Sequence, residues 1–131
     1  MEPDCPLARQ IALRDRLQNF AVVVTRLCQF LPSSLQGRHV AGQLIRSSTS
    51  VAANYRAACR GRSRAEWMAK IGIVVEEADE TVFWLDLLIE TGIVTPERSK
   101  DLLQEATELV AIFGASLRTA KAARKNDSVA K

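Results

Sequence analysis

The positions of the four prolines constrain the fold of this chain more than any other feature. Prolines occur only at positions 3, 6, 32 and 96, so residues 33–95 lack the residue that breaks helices most strongly. Apolar residues recur at helical spacing, as in Leu13, Leu17 and Phe20, which share one face of a helix. We therefore expect an all-helical chain. A strand through residues 48–51 is the alternative, but it would interrupt the helical pattern on both sides.

Residues that begin and end helices divide the chain into four helical segments. Pro32 ends the first helix, and Ser63, with Glu66 three residues later, forms a capping box at the start of the third. Gly92 suits the end of that helix, and Pro96 suits the first position of the fourth. The chain is predicted to be one domain, 1–131, with helices at about 7–31, 36–60, 64–91 and 96–123 and a frayed tail at 124–131. The fold predicted for it is all-α, an antiparallel up-down-up-down four-helix bundle.

The length and composition agree with one folded domain. Hydrophobic residues make up 47% of the 131 residues and charged residues 25%, far from the composition of a disordered chain. No run approaches the roughly 18 uncharged apolar residues of a membrane span. The N-terminal sequence has acids and prolines where a signal peptide has a basic and then an apolar run. We therefore expect a cytoplasmic protein that does not contact a membrane.

Conventional catalytic and metal sites have little support in this sequence. His39 is the single histidine, and Gln36 stands where the Glu-x-x-His pair of a di-iron bundle needs a glutamate. The three cysteines, Cys5, Cys28 and Cys59, form no CxxC pair and are odd in number, so we expect reduced thiols. No glycine-rich phosphate loop occurs. The sequence therefore predicts a protein that is not an enzyme and that holds neither a cofactor nor a metal.

Charge is distributed unevenly along the chain, although the net charge is only +3. Residues 38–70 hold seven basic residues and one acidic residue, whereas residues 71–105 hold two basic and nine acidic residues. Arginine guanidinium groups suit bidentate contacts with phosphate or carboxylate oxygens. The predicted nucleic-acid-binding residues are Arg38, Arg46, Arg56, Arg60, Arg62 and Arg64. A solvated surface and a docking surface for an acidic neighbour are the alternatives.

The third helix carries a second line of side chains, about 130° around the helix from the apolar side chains that are expected to face the core. One bundle core cannot bury both lines. The line combines carboxylates, aliphatic residues and a tryptophan, and an exposed tryptophan is typical of the centre of an interface. The carboxylates could pair with the arginine face of a neighbouring copy. The predicted oligomer interface consists of Ile73, Glu77, Glu80, Trp84 and Leu87. An isolated surface tryptophan is the alternative.

Three stretches of the sequence resemble a known family. They are RSSTSVAANYRAACRGRS at 46–63, AEW at 65–67 and EEADETVFWLDLL at 76–88, and they are similar to the ribosomal RNA intervening-sequence proteins of bacteria. The resemblance is strong over about residues 40–92. It departs from the family pattern at Ala57, where a glutamate is usual, and at Trp67, which replaces a usual phenylalanine.

The resemblance implies a four-helix bundle that assembles into a ring, commonly a pentamer, and has no known enzymatic activity. A distant relative, the accessory protein of diversity-generating retroelements, is a basic pentameric barrel that binds nucleic acid and a reverse transcriptase. The partners implied for this chain are therefore other copies of itself, RNA or DNA, and a nucleic-acid enzyme such as a reverse transcriptase.

Two hypotheses of different classes follow from the sequence. The first is a ring-forming helical protein, without catalytic activity, that binds RNA or another nucleic acid through its arginine surface. The alternative is a structural interaction module whose basic and acidic faces serve only assembly or a protein partner.

Overall fold

Four helices joined by short turns make up the structure, a computed structural model that describes residues 7–130. The helices are α1 (Leu7–Cys28), α2 (Leu35–Cys59), α3 (Arg64–Glu90) and α4 (Pro96–Ala130). Helix α2 packs against α1 and α3, and α3 also packs against α4. Residues 48–51 lie inside α2, and no strand occurs between residues 7 and 130. The predicted all-α four-helix bundle is confirmed.

The turn between α1 and α2 depends on short-range hydrogen bonds and one close backbone approach. Helix α1 ends at Cys28, three residues earlier than predicted, because the amides of residues 29–31 donate to carbonyl groups three residues back. Ser34 then caps α2, and its hydroxyl accepts a hydrogen bond from the Gly37 amide at 3.1 Å. A Cβ at Gly37 would lie 2.1 Å from the carbonyl oxygen of Pro32. Glycine is therefore required at this position.

The predicted signals at both ends of α3 are confirmed. The Ser63 hydroxyl accepts a hydrogen bond from the Glu66 amide at 3.1 Å. The Glu66 carboxylate in turn accepts one from the amide of Arg62 at 2.6 Å, so two amides at the start of α3 are satisfied. After the last turn, Gly92 has a φ of +75°, a conformation that glycine adopts without strain.

The C-terminal end of α4 differs from the prediction. The sequence predicts a frayed tail from residue 124, but α4 continues to Ala130. No proline or glycine follows Gly114, so nothing in the sequence stops the helix. A guanidinium nitrogen of Arg64 also lies 2.7 Å from a carboxylate oxygen of Asp127, which joins the last turns of α4 to the start of α3. Helix α4 therefore extends beyond its predicted end at about 123, the fraying of 124–130 stays a prediction, and residue 131 lies outside the described residues.

The core consists of apolar residues at helical spacing, the pattern from which the sequence predicts the helices. Leu17, Leu44, Ile71 and Leu109, one from each helix, are all fully buried. Trp67, which departs from the family pattern, is also buried, with 1% of its surface exposed. The helical spacing of apolar residues therefore identifies the inward face of every helix.

The bundle is least closed between α1 and α4, which make few contacts. Arg16 of α1 forms the main polar link, because its Nε lies 2.9 Å from Glu105 and its Nη2 lies 2.8 Å from Glu108. The rest of this boundary, toward the start of α4, is an open groove.

Candidate nucleic-acid interface

The structure divides the six predicted arginines into two groups by their neighbours. Arg46 faces α3, with Nη1 3.0 Å from Glu77 Oε2 and Nη2 in contact with Glu80. Arg64 Nη1 lies 2.7 Å from Asp127 Oδ2. These two guanidinium groups already have carboxylate partners within the chain, so they offer less positive charge to a ligand.

The cluster of Arg46, Glu77 and Glu80 shifts the pKa values of Glu77 and Arg46. Burial raises the pKa of Glu77 above its ordinary value, and the nearby Glu80 adds to this increase. The Arg46 guanidinium lowers the Glu77 pKa but does not cancel the effect, because it is shared between two carboxylates and is 47% exposed. Conversely, the hydrogen bond to Glu80 raises the pKa of Arg46. The two carboxylates therefore stabilise the charged form of Arg46.

The other predicted arginines are exposed, and their guanidinium groups have no partner among the described residues. Arg56 and Arg60 lie one helical turn apart near the end of α2. Together with Arg14 of α1, they line a recess of about 160 Å³. This second group consists of Arg38, Arg56, Arg60 and Arg62.

A larger groove continues this surface along the boundary between α1 and α2. It has a volume of about 490 Å³, and Arg26 and Arg56 lie among its lining residues. The small side chains of Ala52 and Ala53 contribute to its wall on α2. We refer to Arg14, Arg26, Arg56 and Arg60 as the α1–α2 basic face.

Acidic residues are nearly absent from the helices that carry this face. Asp15 is the single acidic residue in α1 and α2, whereas α3 contains seven. The α1–α2 basic face therefore carries an excess of positive charge. Sequence reasoning missed Arg14 and Arg26, because the spacing of α1 places them off its core line but does not say which helix lies beside them.

The predicted oligomer interface lies along the boundary of α3 with α2 of the same chain. The ring of Trp84 packs edge-on against His39, with 5.5 Å between centroids, and its Nε1 is buried with no hydrogen-bond partner among the described residues. Trp84, Leu87 and His39 line a cavity of about 490 Å³. All five residues of the predicted interface, Ile73, Glu77, Glu80, Trp84 and Leu87, are partly buried. Their contact with another copy stays a prediction.

A different face of α3 is more exposed than this line. Phe83 is 56% exposed at its centre, with its ring 4.9 Å from that of Trp84. Four carboxylates surround Phe83 along the helix and have no side-chain partner among the described residues. We call this set, Glu76, Asp79, Phe83, Asp86 and Glu90, the α3 acidic stripe.

The described residues give no sign of a metal centre or a membrane span. No group of three or more histidine, cysteine or acidic side chains between residues 7 and 130 could hold a metal ion. None of the described helices is long and apolar enough to cross a membrane. Cys28 and Cys59 are both partly buried, and burial raises the pKa of Cys28 to about 11, whereas Cys5 lies outside the described residues.

Comparison with known proteins identifies the family. The 23S rRNA-intervening sequence protein family matches residues 9–115. This chain belongs to that family. A crystal structure of a protein of unknown function from the S23 ribosomal protein family of Bacteroides thetaiotaomicron has a TM-score of 0.74 and 34% identity, covering 79% of this chain and 96% of that chain. No curated protein matches the chain.

The family match includes both charged surfaces of this intervening-sequence protein. Residues 9–115 contain the α1–α2 basic face and the α3 acidic stripe, but not Asp127, the partner of Arg64. The solved relative is of unknown function, so it supports the fold and the family and assigns no activity.

Proposed function

We propose that this intervening-sequence protein is not an enzyme and binds RNA or another nucleic acid through its α1–α2 basic face. The observation that carries the proposal is the contrast between free and paired arginines. Arg26, Arg56 and Arg60 are exposed and have no carboxylate partner among the described residues, whereas Arg46 has two. Free guanidinium groups around a groove suit the oxygens of a phosphate backbone.

The shape of the face supports the same function. Ala52 and Ala53 line the α1–α2 groove with small side chains, so a sugar-phosphate backbone can approach α2 closely. Arg56 and Arg60 follow one another by one helical turn, which places their side chains on the same side of α2. Arg38 and Arg62 extend the positive surface toward the two ends of α2.

The salt dependence of binding tests this function. We expect the affinity for a single-stranded RNA to fall steeply with salt, because each neutralised phosphate contributes about 0.7 to the log-log slope. The double variant Arg56→Gln, Arg60→Gln should bind more weakly and reduce that slope by about 1.4. Binding is measured by fluorescence anisotropy between about 50 and 200 mM salt, with helical content measured by circular dichroism.

A control with the same loss of charge separates a local site from general attraction. Lys100 and Lys121 are exposed on α4, away from the α1–α2 groove. The double variant Lys100→Gln, Lys121→Gln should leave the slope nearly unchanged. Equal losses in both double variants, or no binding by the wild type at about 50 mM salt, would contradict the proposed site.

Assembly is the second candidate function, and the α3 acidic stripe is the observation that favours it. The stripe surrounds Phe83 with unpaired carboxylates, and the α1–α2 groove offers arginines around apolar side chains. A contact between two different surfaces of identical chains is heterologous and generates a ring when the rotation closes. The pentamer that the family resemblance implies would be such a ring. The line from Ile73 to Leu87 borders the stripe and would extend the contact.

Mutation of the stripe distinguishes assembly from nucleic-acid binding. The double variant Asp79→Asn, Asp86→Asn should lower the mass measured by light scattering at low micromolar concentration if the stripe joins copies. It should not weaken RNA binding through the basic face of the same chain. An unchanged mass would remove the stripe from the interface.

A further inference from the structure

The groove between α1 and α4 is a recess that neither proposed function uses. Its volume is about 580 Å³, within the range of small-ligand sites. Phe20, Leu27 and Leu102 form its apolar lining, and Phe20 is almost fully buried. Toward the middle of the bundle, Arg16 and Glu105 close it with an ion pair. The groove is therefore an apolar recess that opens near the start of α4.

An exposed aromatic ring stands at the mouth of this groove. Phe30 follows the end of α1 and is 71% exposed, unlike Phe20, which is 2% exposed. The guanidinium carbon of Arg98 lies 6.0 Å from the centroid of the Phe30 ring. Because Arg98 lies over one face of this exposed ring, a nucleic-acid base can stack on the other face while the guanidinium binds the adjoining phosphate.

Arg26 connects the groove with the proposed nucleic-acid-binding face. It lines both the α1–α4 groove and the α1–α2 groove. Neither Arg26 nor Arg98 forms an ion pair within the described residues. Exposed arginines therefore follow one another from Arg56 on α2, across α1 at Arg26, to Arg98 on α4, where the carboxylates of Asp101 and Glu105 also line the groove.

We infer that a single strand of RNA crosses α1 at Arg26 and places one unpaired base on Phe30, in the mouth of the α1–α4 groove. Arg26 and Arg98 bind the phosphates on either side of that base. The strand must be single because the bases of a duplex are stacked on each other and do not expose their faces. This inference rests on the proposed binding of nucleic acid.

The polar residues of the groove suit the edge of a base. The carboxylate of Asp101 lines the groove and can accept a hydrogen bond from a base amino group. The side-chain amide of Asn19, on the opposite wall, can both donate and accept. The phosphates of a nucleic acid offer an anionic partner to each of Arg26 and Arg98, which an apolar peptide helix does not.

Substitution of Phe30 tests the stacked base. The probe is a single-stranded RNA of 12 nucleotides that contains one 2-aminopurine, with a duplex of the same length as the comparison. Phe30→Leu keeps an apolar side chain but removes the aromatic face, and we expect about 5- to 150-fold weaker binding of the single strand. The salt slope and the affinity for the duplex should not change. Stacking on Phe30 should quench the fluorescence of 2-aminopurine, and Phe30→Leu should lose this quenching. Phe30→Tyr keeps the ring, so it should match the wild type in both affinity and quenching.

Arg98→Gln should weaken binding of the same single strand and reduce the salt slope by about 0.7, because one phosphate contact is lost.

Phe30→Leu with wild-type affinity and wild-type quenching would overturn the inference and leave the groove to another occupant, such as an apolar peptide. If the Arg56→Gln, Arg60→Gln variant still loses affinity in that case, the proposed function stands without the stacked base. If the wild type binds no RNA at about 50 mM salt, both fail.

Discussion

Helix α2 has two neighbours, and its boundaries with them are built differently. On the side of α3, Arg46 pairs with Glu77 and Glu80, and the Ser47 hydroxyl lies 2.8 Å from that of Thr81. On the side of α1, small side chains and exposed arginines leave an open groove. The comparison shows that arginines of one helix can hold a neighbouring helix on one side and stay free for a ligand on the other.

The largest expected effect comes from Trp84, whose side chain lies between α2 and α3. Trp84→Ala removes a partly buried side chain that packs against His39, and we expect the unfolding free energy to fall by about 2 kcal/mol. Val22→Ala, on the α1 side and 39% exposed, should cost less than about 0.5 kcal/mol. Urea unfolding measures both.

Trp84→Ala also tests the predicted oligomer interface. If Trp84 lies between copies as a hot spot, its removal costs about 2 kcal/mol or more per contact, and the particle mass falls. Light scattering at low micromolar concentration that gives equal masses for the variant and the wild type would contradict this role of the line from Ile73 to Leu87.

Two adjacent serines provide a sharper comparison of the boundaries. Ser47 and Ser48 are both fully buried, but Ser47 lies beside the Thr81 hydroxyl, whereas the Ser48 hydroxyl bonds, within residues 7–130, only to the carbonyl of Ile45 in α2. We expect Ser47→Ala to lower the unfolding free energy by about 1 kcal/mol. Ser48→Ala should be neutral or slightly stabilising, because alanine favours a helix. Equal effects would show that the hydroxyl pair contributes nothing to the α2–α3 contact.

Single substitutions of Arg46 and Arg56 separate packing from binding. Arg46→Gln removes the partner of two carboxylates and should lower the unfolding free energy by up to about 1 kcal/mol, with little effect on RNA binding. Arg56→Gln should leave stability unchanged and reduce the salt slope of RNA binding by about 0.7. If Arg46→Gln weakens RNA binding more than Arg56→Gln does, then Arg46 contacts the RNA in place of its carboxylate partners, contrary to this prediction.

The smallest expected effect concerns pH. Because burial raises the pKa of Glu77 in the folded protein, the folded state takes up this proton more readily than the unfolded chain does. The unfolding free energy of the wild type, relative to Glu77→Gln, should therefore be highest below about pH 4 and fall as the pH rises through the raised pKa. Denaturant titrations from about pH 4 to pH 7 measure this difference. If the unfolding free energy of the wild type, relative to Glu77→Gln, increases with pH, then the attraction of Arg46 for the Glu77 carboxylate outweighs the effect of burial on that carboxylate.

Local signals in the sequence were sufficient for most of the fold. Ser63 caps the start of α3 and Gly92 follows its end as predicted, because caps depend on residues only a few positions apart. The end of α4 lies beyond its predicted position, and the contact near this end joins Asp127 to Arg64, 63 positions away. The family resemblance that the sequence shows over about residues 40–92 is confirmed, because the 23S rRNA-intervening sequence protein family matches residues 9–115.

What the sequence determined by itself is the set of helices, the core face of each and the excess of arginine over acidic residues in α2. What only the tertiary structure decided is the role of each arginine. Arg46 and Arg56 lie on the outer side of the same helix, yet one meets Glu77 of α3 and the other borders α1. Helical periodicity fixes which residues share a face, because it depends on the geometry of one helix. It does not fix which helix packs beside that face, and that neighbour determines whether a charge is paired or free.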